Sequence, residues 1–234
     1  MKIIAHRGSS AKAPENTLAA FNLAFKVPSD GIELDIYVTA DQKIAVMHDA
    51  TTGRTGKRDL TIAETSLSEL KQLDVGAWKG ENWTGEVIPE LSEVFPCIPA
   101  GKEIVIELKS GCETLPILKS YIADSGKNED EIVLISFNDS AYAAKEFFPK
   151  IKIFPLYGKT ENISEIIQKT VEAELDGIDV HWQNLTQEKI KLVKDAGLEL
   201  YVWTVDDVKI ARQLKDAGID GLTTNTPELM TREL

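Results

Sequence analysis

The stretch Gly31 to Asp49, GIELDIYVTADQKIAVMHD, holds two carboxylates and an imidazole at spacings that suit metal-assisted acid–base chemistry. Ile32, Leu34 and Ile36 alternate with Glu33, Asp35 and Tyr37. That is the period of a β-strand, and it puts Glu33 and Asp35 on one face. Thr39 to Lys43 is a short polar turn and Ile44 to Met47 is apolar again. A connection this short predicts an antiparallel return. With the turn centred on Asp41 and Gln42, Asp35 sits opposite His48. The same alternation of acids also describes an ordinary solvated strand face, so the rest of the chain has to decide.

The elements that must position these groups follow a regular pattern. Lys2 to Ala5 is a short strand ending in His6-Arg7-Gly8. Pro14-Glu15-Asn16-Thr17 starts a helix with Asn16 as the N-cap, and Leu18, Phe21 and Phe25 give its apolar face. From Glu103 onward strands alternate with helices. Strands are predicted at 103–109, 132–136, 151–156, 177–181, 200–205 and 221–224, with helices at 113–123, 140–148, 163–173, 187–196 and 208–217. Asp-Ala-Gly closes two successive helices at 195–197 and 216–218, where a C-terminal glycine belongs. Repeated βα units imply parallel strands with helices outside. With the first two strands they make eight, which predicts an α/β fold, a (β/α)₈ TIM barrel formed by residues 1–234 as one catalytic domain. An open doubly wound sheet is the alternative, weakened because no Gly-rich fingerprint follows the first strand. Residues 50 to about 90 are an insertion after the hairpin, with a helix at 67–73 capped by Ser66 and a loop carrying Trp78 and Trp83. Those two tryptophans either line a pocket mouth or pack the insertion onto the body.

Barrel active sites form at the C-terminal ends of the strands, and the unusual residues of this chain gather there. His6 and Arg7, Glu33 and Asp35, Glu107 and Lys109, His181, Trp203, and Thr224 with Asn225 all close strands. Glu33, Asp35 and Glu107 converge as three carboxylates, a set that suits Mg²⁺ or Ca²⁺. Zinc suits it less, because no thiolate joins. Arg7 and Lys109 add positive charge, and His6 and His48 can divide general-base and general-acid work. Together these groups fit an anionic phosphodiester undergoing in-line displacement. The role of His181 stays open. A serine triad has no support, since no Gly-x-Ser-x-Gly elbow occurs.

Composition bounds the function. The chain has 234 residues, 43% hydrophobic and 27% charged, with a formal net charge of −12. That acidity argues against nucleic acid and anionic membrane surfaces as partners. It requires local positive charge wherever an anionic substrate binds. Cys97 and Cys112 match no zinc or redox spacing and read as free thiols. No apolar run has signal-peptide or membrane-span length, so the chain as given is expected to be cytoplasmic without an integral membrane segment. Oligomeric state has no signal in the sequence.

The ordered set His6-Arg7-Gly8, Pro14-Glu15-Asn16-Thr17, Glu33-Leu34-Asp35, His48-Asp49, Ile88-Pro89, Glu107-Leu108-Lys109, Trp203-Thr204-Val205 and Asp220-Gly221…Thr224-Asn225-Thr226-Pro227 resembles the glycerophosphodiester phosphodiesterases, within the phosphatidylinositol-phospholipase-C-like phosphodiesterase barrels. The resemblance covers nearly the whole chain. It implies hydrolysis of glycerophosphodiesters to glycerol 3-phosphate and an alcohol. It implies one divalent cation, Mg²⁺ or Ca²⁺, on Glu33, Asp35 and Glu107. It also implies His6 and His48 as the acid–base pair, Arg7 and Lys109 on the phosphate, and Trp203 lining the glycerol pocket. His6 is expected to act as base and His48 as acid in a first step that forms a cyclic phosphate. Glu90 stands where the family often has Thr, a departure that bears on substrate preference. The competing readings are a lysophospholipid or phosphoinositide phosphodiesterase on the same site, and a non-enzymatic binding barrel.

Overall fold

The structure, a computed structural model, describes residues 1–137 and 139–234. Its strands are β1 (Lys2–His6), β2 (Gly31–Val38), β3 (Ile44–Val46), β4 (Glu103–Leu108), β5 (Ile132–Ser136), β6 (Lys152–Tyr157), β7 (Gly177–His181), β8 (Glu199–Trp203) and β9 (Gly221–Thr224). Its α-helices are α1 (Leu18–Ala24), α2 (Leu67–Leu70), α3 (Leu91–Val94), α4 (Thr114–Ala123), α5 (Ser140–Phe147), α6 (Ile163–Glu172), α7 (Gln187–Asp195), α8 (Val208–Ala217) and α9 (Pro227–Glu233). Eight strands, all but β3, pair in parallel in the order β1-β2-β4-β5-β6-β7-β8-β9, and β9 returns to β1. The sheet is a closed (β/α)₈ barrel with β3 added antiparallel to β2. Closure leaves both faces of each strand covered, so β4 is buried at all six positions.

Strand parity divides the side chains between two cores. Ile104, Ile106 and Leu108 point outward with Ile32, Leu34 and Ile36, into a cluster shared with Phe21, Leu115 and Leu118 of the helices. Ile4, Val105, Val133, Ile135, Phe154, Leu156 and Tyr201 point inward and fill the barrel. Tyr201 is packed edge-on against Phe154, with ring centroids 5.0 Å apart. A Cβ on Gly221 would lie 2.7 Å from the Tyr201 ring, so glycine there is what admits the aromatic side chain. Tyr201 donates to Glu103 Oε1 at 2.7 Å, and Lys2 Nζ pairs with the other oxygen of Glu103. Polar pairing thus closes the lower end of the barrel.

Three local expectations change. The hairpin register pairs Ile36 with Val46 and Val38 with Ile44, so Asp35 faces Met47 and not His48. The cause is the turn. Gln42 takes a left-handed φ of 58°, and Thr39 N–H bonds Lys43 O at 2.9 Å, which centres the loop on Asp41. The N-cap of α1 is Thr17, which accepts from Ala20 N–H, and not Asn16. The chain also continues past β9 into α9, started by Pro227, which buries Met230 in the cluster that holds Ile3. The cap glycines Gly197 and Gly218 have φ of 78° and 93°, as their positions after the helices require.

The excursion between β3 and β4 builds a satellite core from Ala45, Met47, Ile62, Leu67, Leu70, Leu73, Val75 and Ile88. Glu90 follows it and caps α3 while accepting from Tyr121 O–H at 2.5 Å, so its carboxyl faces the outer layer. No helix among the described residues is long and apolar enough to cross a membrane.

Candidate active site

At the C-terminal ends of the strands, β1 and β2 set His6 level with Glu33, and β2 and β4 set Asp35 level with Glu107. All four occupy inward positions. After His6 the chain reverses sharply. Arg7 has φ 54° and Gly8 φ 80°, and a Cβ on Gly8 would meet the Ala20 backbone at 2.5 Å. This left-handed turn aims the Arg7 N–H at Glu33 Oε2, 3.0 Å away. It also lays the Arg7 guanidinium over Asp35, with Nε 3.3 Å from Oδ2.

Glu33, Asp35 and Glu107 each offer an oxygen within 4.8 Å of the others, and all three are buried. Burial and the charge of Asp35 push Glu33 well above the usual carboxylate range. The same causes take Glu107 to about 7. Burial also opposes the Asp35 charge, but Arg7 and Lys109 outweigh it and hold that group low. Lys109 Nζ donates to Glu107 Oε1 at 2.7 Å and lies 3.2 Å from Asp35 Oδ1. Asp35 Oδ1 has no hydrogen-bond partner among the described residues. Three crowded carboxyls, two of them driven toward neutrality, are a donor set whose repulsion a divalent cation relieves. The residues therefore fit such an ion.

The two histidines are held in the same way by different partners. His6 Nδ1 lies 2.7 Å from Asn225 Oδ1, and the amide of Asn225 donates to Asp206 Oδ2 at 2.7 Å. The oxygen of Asn225 thus faces the ring, Nδ1 carries the proton, and Nε2 faces the site, 3.9 Å from Glu33 Oε2. Burial, reinforced by the Arg7 charge, lowers His6 to about 4. His48 Nδ1 lies 2.6 Å from Asp49 Oδ1. Hydrogen bonds from Arg54 and His48 keep Asp49 low despite its burial, so it accepts the Nδ1 proton. His48 is itself lowered by burial and by the nearby cations, while Asp35 and Asp49 oppose that shift. Arg54 spans from Asp49 to Glu15, which it meets at 2.9 and 2.7 Å, and Arg7 donates to the same Glu15 at 2.9 Å.

His6, Arg7, Glu33, His48, Glu107, Lys109 and Trp203 line one cavity of about 130 Å³. Asp35 lies behind it, fully buried beneath Arg7 and Lys109. All eight residues singled out in the sequence therefore meet at one place. His181, Trp78 and Trp83 are not among the cavity residues. His181 instead stands edge-on to Trp203 at 5.1 Å and accepts from Gln183 N–H. Trp78 bonds Val75 O, and its neighbour Lys79 reaches across to Ser10 O, tying the excursion to the barrel.

Sequence reasoning passed over several supporting groups. Asn16, in a left-handed conformation, donates to Asp35 Oδ2 at 2.8 Å. Its signal was an Asn, a residue type that tolerates the left-handed backbone, directly ahead of the cap Thr17. Asp179 and Thr223 line the cavity floor and wall, at positions whose inward parity the alternation of 177–181 and 221–224 already carried. Burial and the Glu107 charge raise Asp179 well above the carboxylate range. Arg54 had no local signal, because its bond to Glu15 joins segments 39 residues apart.

A barrel with acids, imidazoles and cations on its C-terminal rim can hold an anionic ester and move protons to and from it. The profile of the glycerophosphoryl diester phosphodiesterase family matches residues 6–229, and the chain belongs to that family and is an enzyme of that class. It is 35% identical over 233 residues to a glycerophosphodiester phosphodiesterase of Caldanaerobacter subterraneus, covering 97% of this chain and 95% of that one. Among solved structures, an Oleispira antarctica phosphodiesterase in complex with its product sn-glycerol-3-phosphate superposes with a TM-score of 0.91 at 29% identity. That match covers 100% of this chain and 96% of the other. The glycerophosphodiester phosphodiesterase of Thermotoga maritima gives a TM-score of 0.80 at 28% identity, covering 98% and 96%.

Proposed function

We propose that this enzyme hydrolyses glycerophosphodiesters to glycerol 3-phosphate and an alcohol by two-histidine acid–base catalysis. The observation that carries the reading is the pair of imidazoles. Each has Nδ1 fixed by an oxygen and the other nitrogen free to serve a shared cavity that also holds Arg7 and Lys109. Glu33, Asp35 and Glu107 would hold one divalent cation, Mg²⁺ or Ca²⁺. When bound, the ion supplies charge stabilisation for the phosphoryl oxygens.

Arg7 and Lys109 orient the phosphate. Neutral His6 takes the proton of the glycerol 2-hydroxyl through Nε2 as that oxygen bonds to phosphorus. His48 gives the proton at its Nε2 to the departing alcohol oxygen as the bond from phosphorus breaks. A five-membered cyclic phosphate remains. The protons then run in reverse. His48 takes one from water as the water oxygen bonds to phosphorus, and His6 gives one to the 2-oxygen as the bond from phosphorus to that oxygen breaks. Trp203 forms the wall against the glycerol unit. The product in the Oleispira antarctica complex is the one this scheme releases.

The test is release of glycerol 3-phosphate from glycerophosphocholine and glycerophosphoethanolamine by metal-stripped protein, with Mg²⁺ and Ca²⁺ restored separately. Release that depends on added metal is the expected result. Release in excess chelator would refute the metal site, and no release under any condition would refute the substrate class.

A further inference from the structure

The rim of the barrel has two unlike halves. His6 closes β1, Arg7 and Lys109 directly follow β1 and β4, and His48 follows β3, so the phosphate belongs on that side. β7, β8 and β9, three successive strands of which β9 lies beside β1, build the other half. There, Asp179 Oδ1, Trp203 Nε1 and Thr223 Oγ1 are buried polar atoms with no hydrogen-bond partner among the described residues. All three residues line the cavity. Asp179 is level with Tyr201, and Trp203 stands two residues further along the same strand, so Asp179 lies beneath the indole. Thr223 likewise stands two residues beyond Gly221, the partner of Tyr201. Both Asp179 and Thr223 are 2% exposed.

Leaving three such atoms unpaired in one small cavity is costly unless a ligand pairs them. Their chemistry asks for hydroxyls. A carboxyl oxygen accepts from a hydroxyl in either protonation state, a threonine hydroxyl both donates and accepts, and an indole N–H donates to a hydroxyl oxygen. An acyl chain in the same place would leave all of them unsatisfied. The cavity is also well below the roughly 300–1,000 Å³ of pockets that enclose larger ligands.

We propose that Asp179 and Thr223 read the terminal hydroxyl of the glycerol unit, and that they make this enzyme select diesters that carry this hydroxyl over diesters that lack it. The inference rests on the glycerophosphodiester reading above and assigns its specificity to two residues outside the acid–base and cation groups. It is a claim about discrimination, so its readout is a ratio of kcat/KM values, which a general loss of stability does not move.

Two diesters separate the possibilities. Glycerophosphocholine carries the terminal hydroxymethyl group. 2-Hydroxyethyl phosphocholine lacks it but keeps the hydroxyl that attacks phosphorus. The wild-type enzyme is expected to prefer the first by about a hundredfold in kcat/KM, the scale of leaving a buried polar group unpaired. Asp179→Leu should cut the preference to less than about tenfold, with Asp179→Asn and Thr223→Val between. If Asp179→Leu does not fold, the isosteric Asp179→Asn and Thr223→Val decide. A wild type that treats both diesters alike, or folded variants that keep its preference, would overturn this assignment while leaving the glycerophosphodiester reading in place. A wild type that hydrolyses neither would overturn both.

Discussion

Asparagine at position 49 converts one acceptor into a donor at a point where both partners donate. In the protein, one Asp49 oxygen takes the His48 Nδ1 proton and the other takes Arg54 Nε–H. An amide has one oxygen for these two donors. The guanidinium is permanently charged and its bond is charge-assisted, so the amide turns its oxygen to Arg54 and its NH₂ to the ring. Nδ1 must then lose its proton, and the imidazolium form of His48 is opposed by a donor facing a donor. A hydrogen bond to a charged group is worth about 1.5–3 kcal/mol, which at 1.4 kcal/mol per decade predicts a roughly 10- to 150-fold fall in kcat. The pH profile supplies a sign. The Asp49 hydrogen bond raises His48, so removing it lowers His48 further. A general acid works only while protonated, and the alkaline limb of kcat therefore moves to lower pH. Removing Arg54 as well frees the amide to present its oxygen to the ring. Asp49→Asn with Arg54→Ala should then be more active than the product of the two single effects predicts. Glycerol 3-phosphate release across pH 5 to 9 measures all three variants. A fully active Asp49→Asn, or a strictly multiplicative double variant, would refute the holding role of Asp49.

Other changes test separate parts of the site. His48→Ala should lower kcat by about a hundredfold or more with the thermal midpoint kept, on the scale of a positioned acid; unchanged turnover would remove it from the mechanism. Glu33→Gln should weaken metal binding. Saturating metal at a hundred times its Kd stabilises a native site by about 2.7 kcal/mol, so the thermal shift on adding Mg²⁺ or Ca²⁺ should shrink in the variant. Lys109→Ala should weaken calorimetric binding of glycerol 3-phosphate, since it takes a cation from the cavity; unaltered affinity would contradict the phosphate role. Tyr201→Phe leaves Glu103 Oε1 without its phenolic donor in the lower barrel. That should cost about 2 kcal/mol and lower Tm by roughly 4–8 °C while kcat stays near wild type.

What the sequence disclosed divides along physical lines. The barrel was legible because periodicity is local: β5, β7, β9 and α8 begin and end at the residues that the apolar pattern and its glycines mark. The convergence of Glu33, Asp35 and Glu107 followed from parity plus the rule that barrel sites gather at strand ends. The hairpin register was missed by one residue because it depends on Gln42 adopting a left-handed backbone, which glutamine seldom signals. Asn16 reads as a cap by type, yet its amide is used across space on Asp35. Arg54 and Glu15 are 39 residues apart and meet only when the excursion folds over the first loop, so no window on the chain contains the pair.

The corrected hairpin has a consequence for where this chain can change length. His48 enters the site from the far side of a tight turn, one residue past the Met47 N–H bond to Asp35 O. The number of residues between Asp35 and His48 therefore works as a ruler. One residue added or removed at Thr39–Lys43 would exchange the two faces of the return segment and turn the imidazole away from the phosphate. Beyond Asp49 the constraint relaxes to a few tethers, Arg54 on Glu15 and Lys79 on Ser10, and the exposed bend around Gly85, with φ 95° and nothing within 4 Å of its added Cβ, sets no distance in the site. Peptides grafted at Gly85 should leave turnover standing, whereas a single residue inserted beside Asp41 should abolish it.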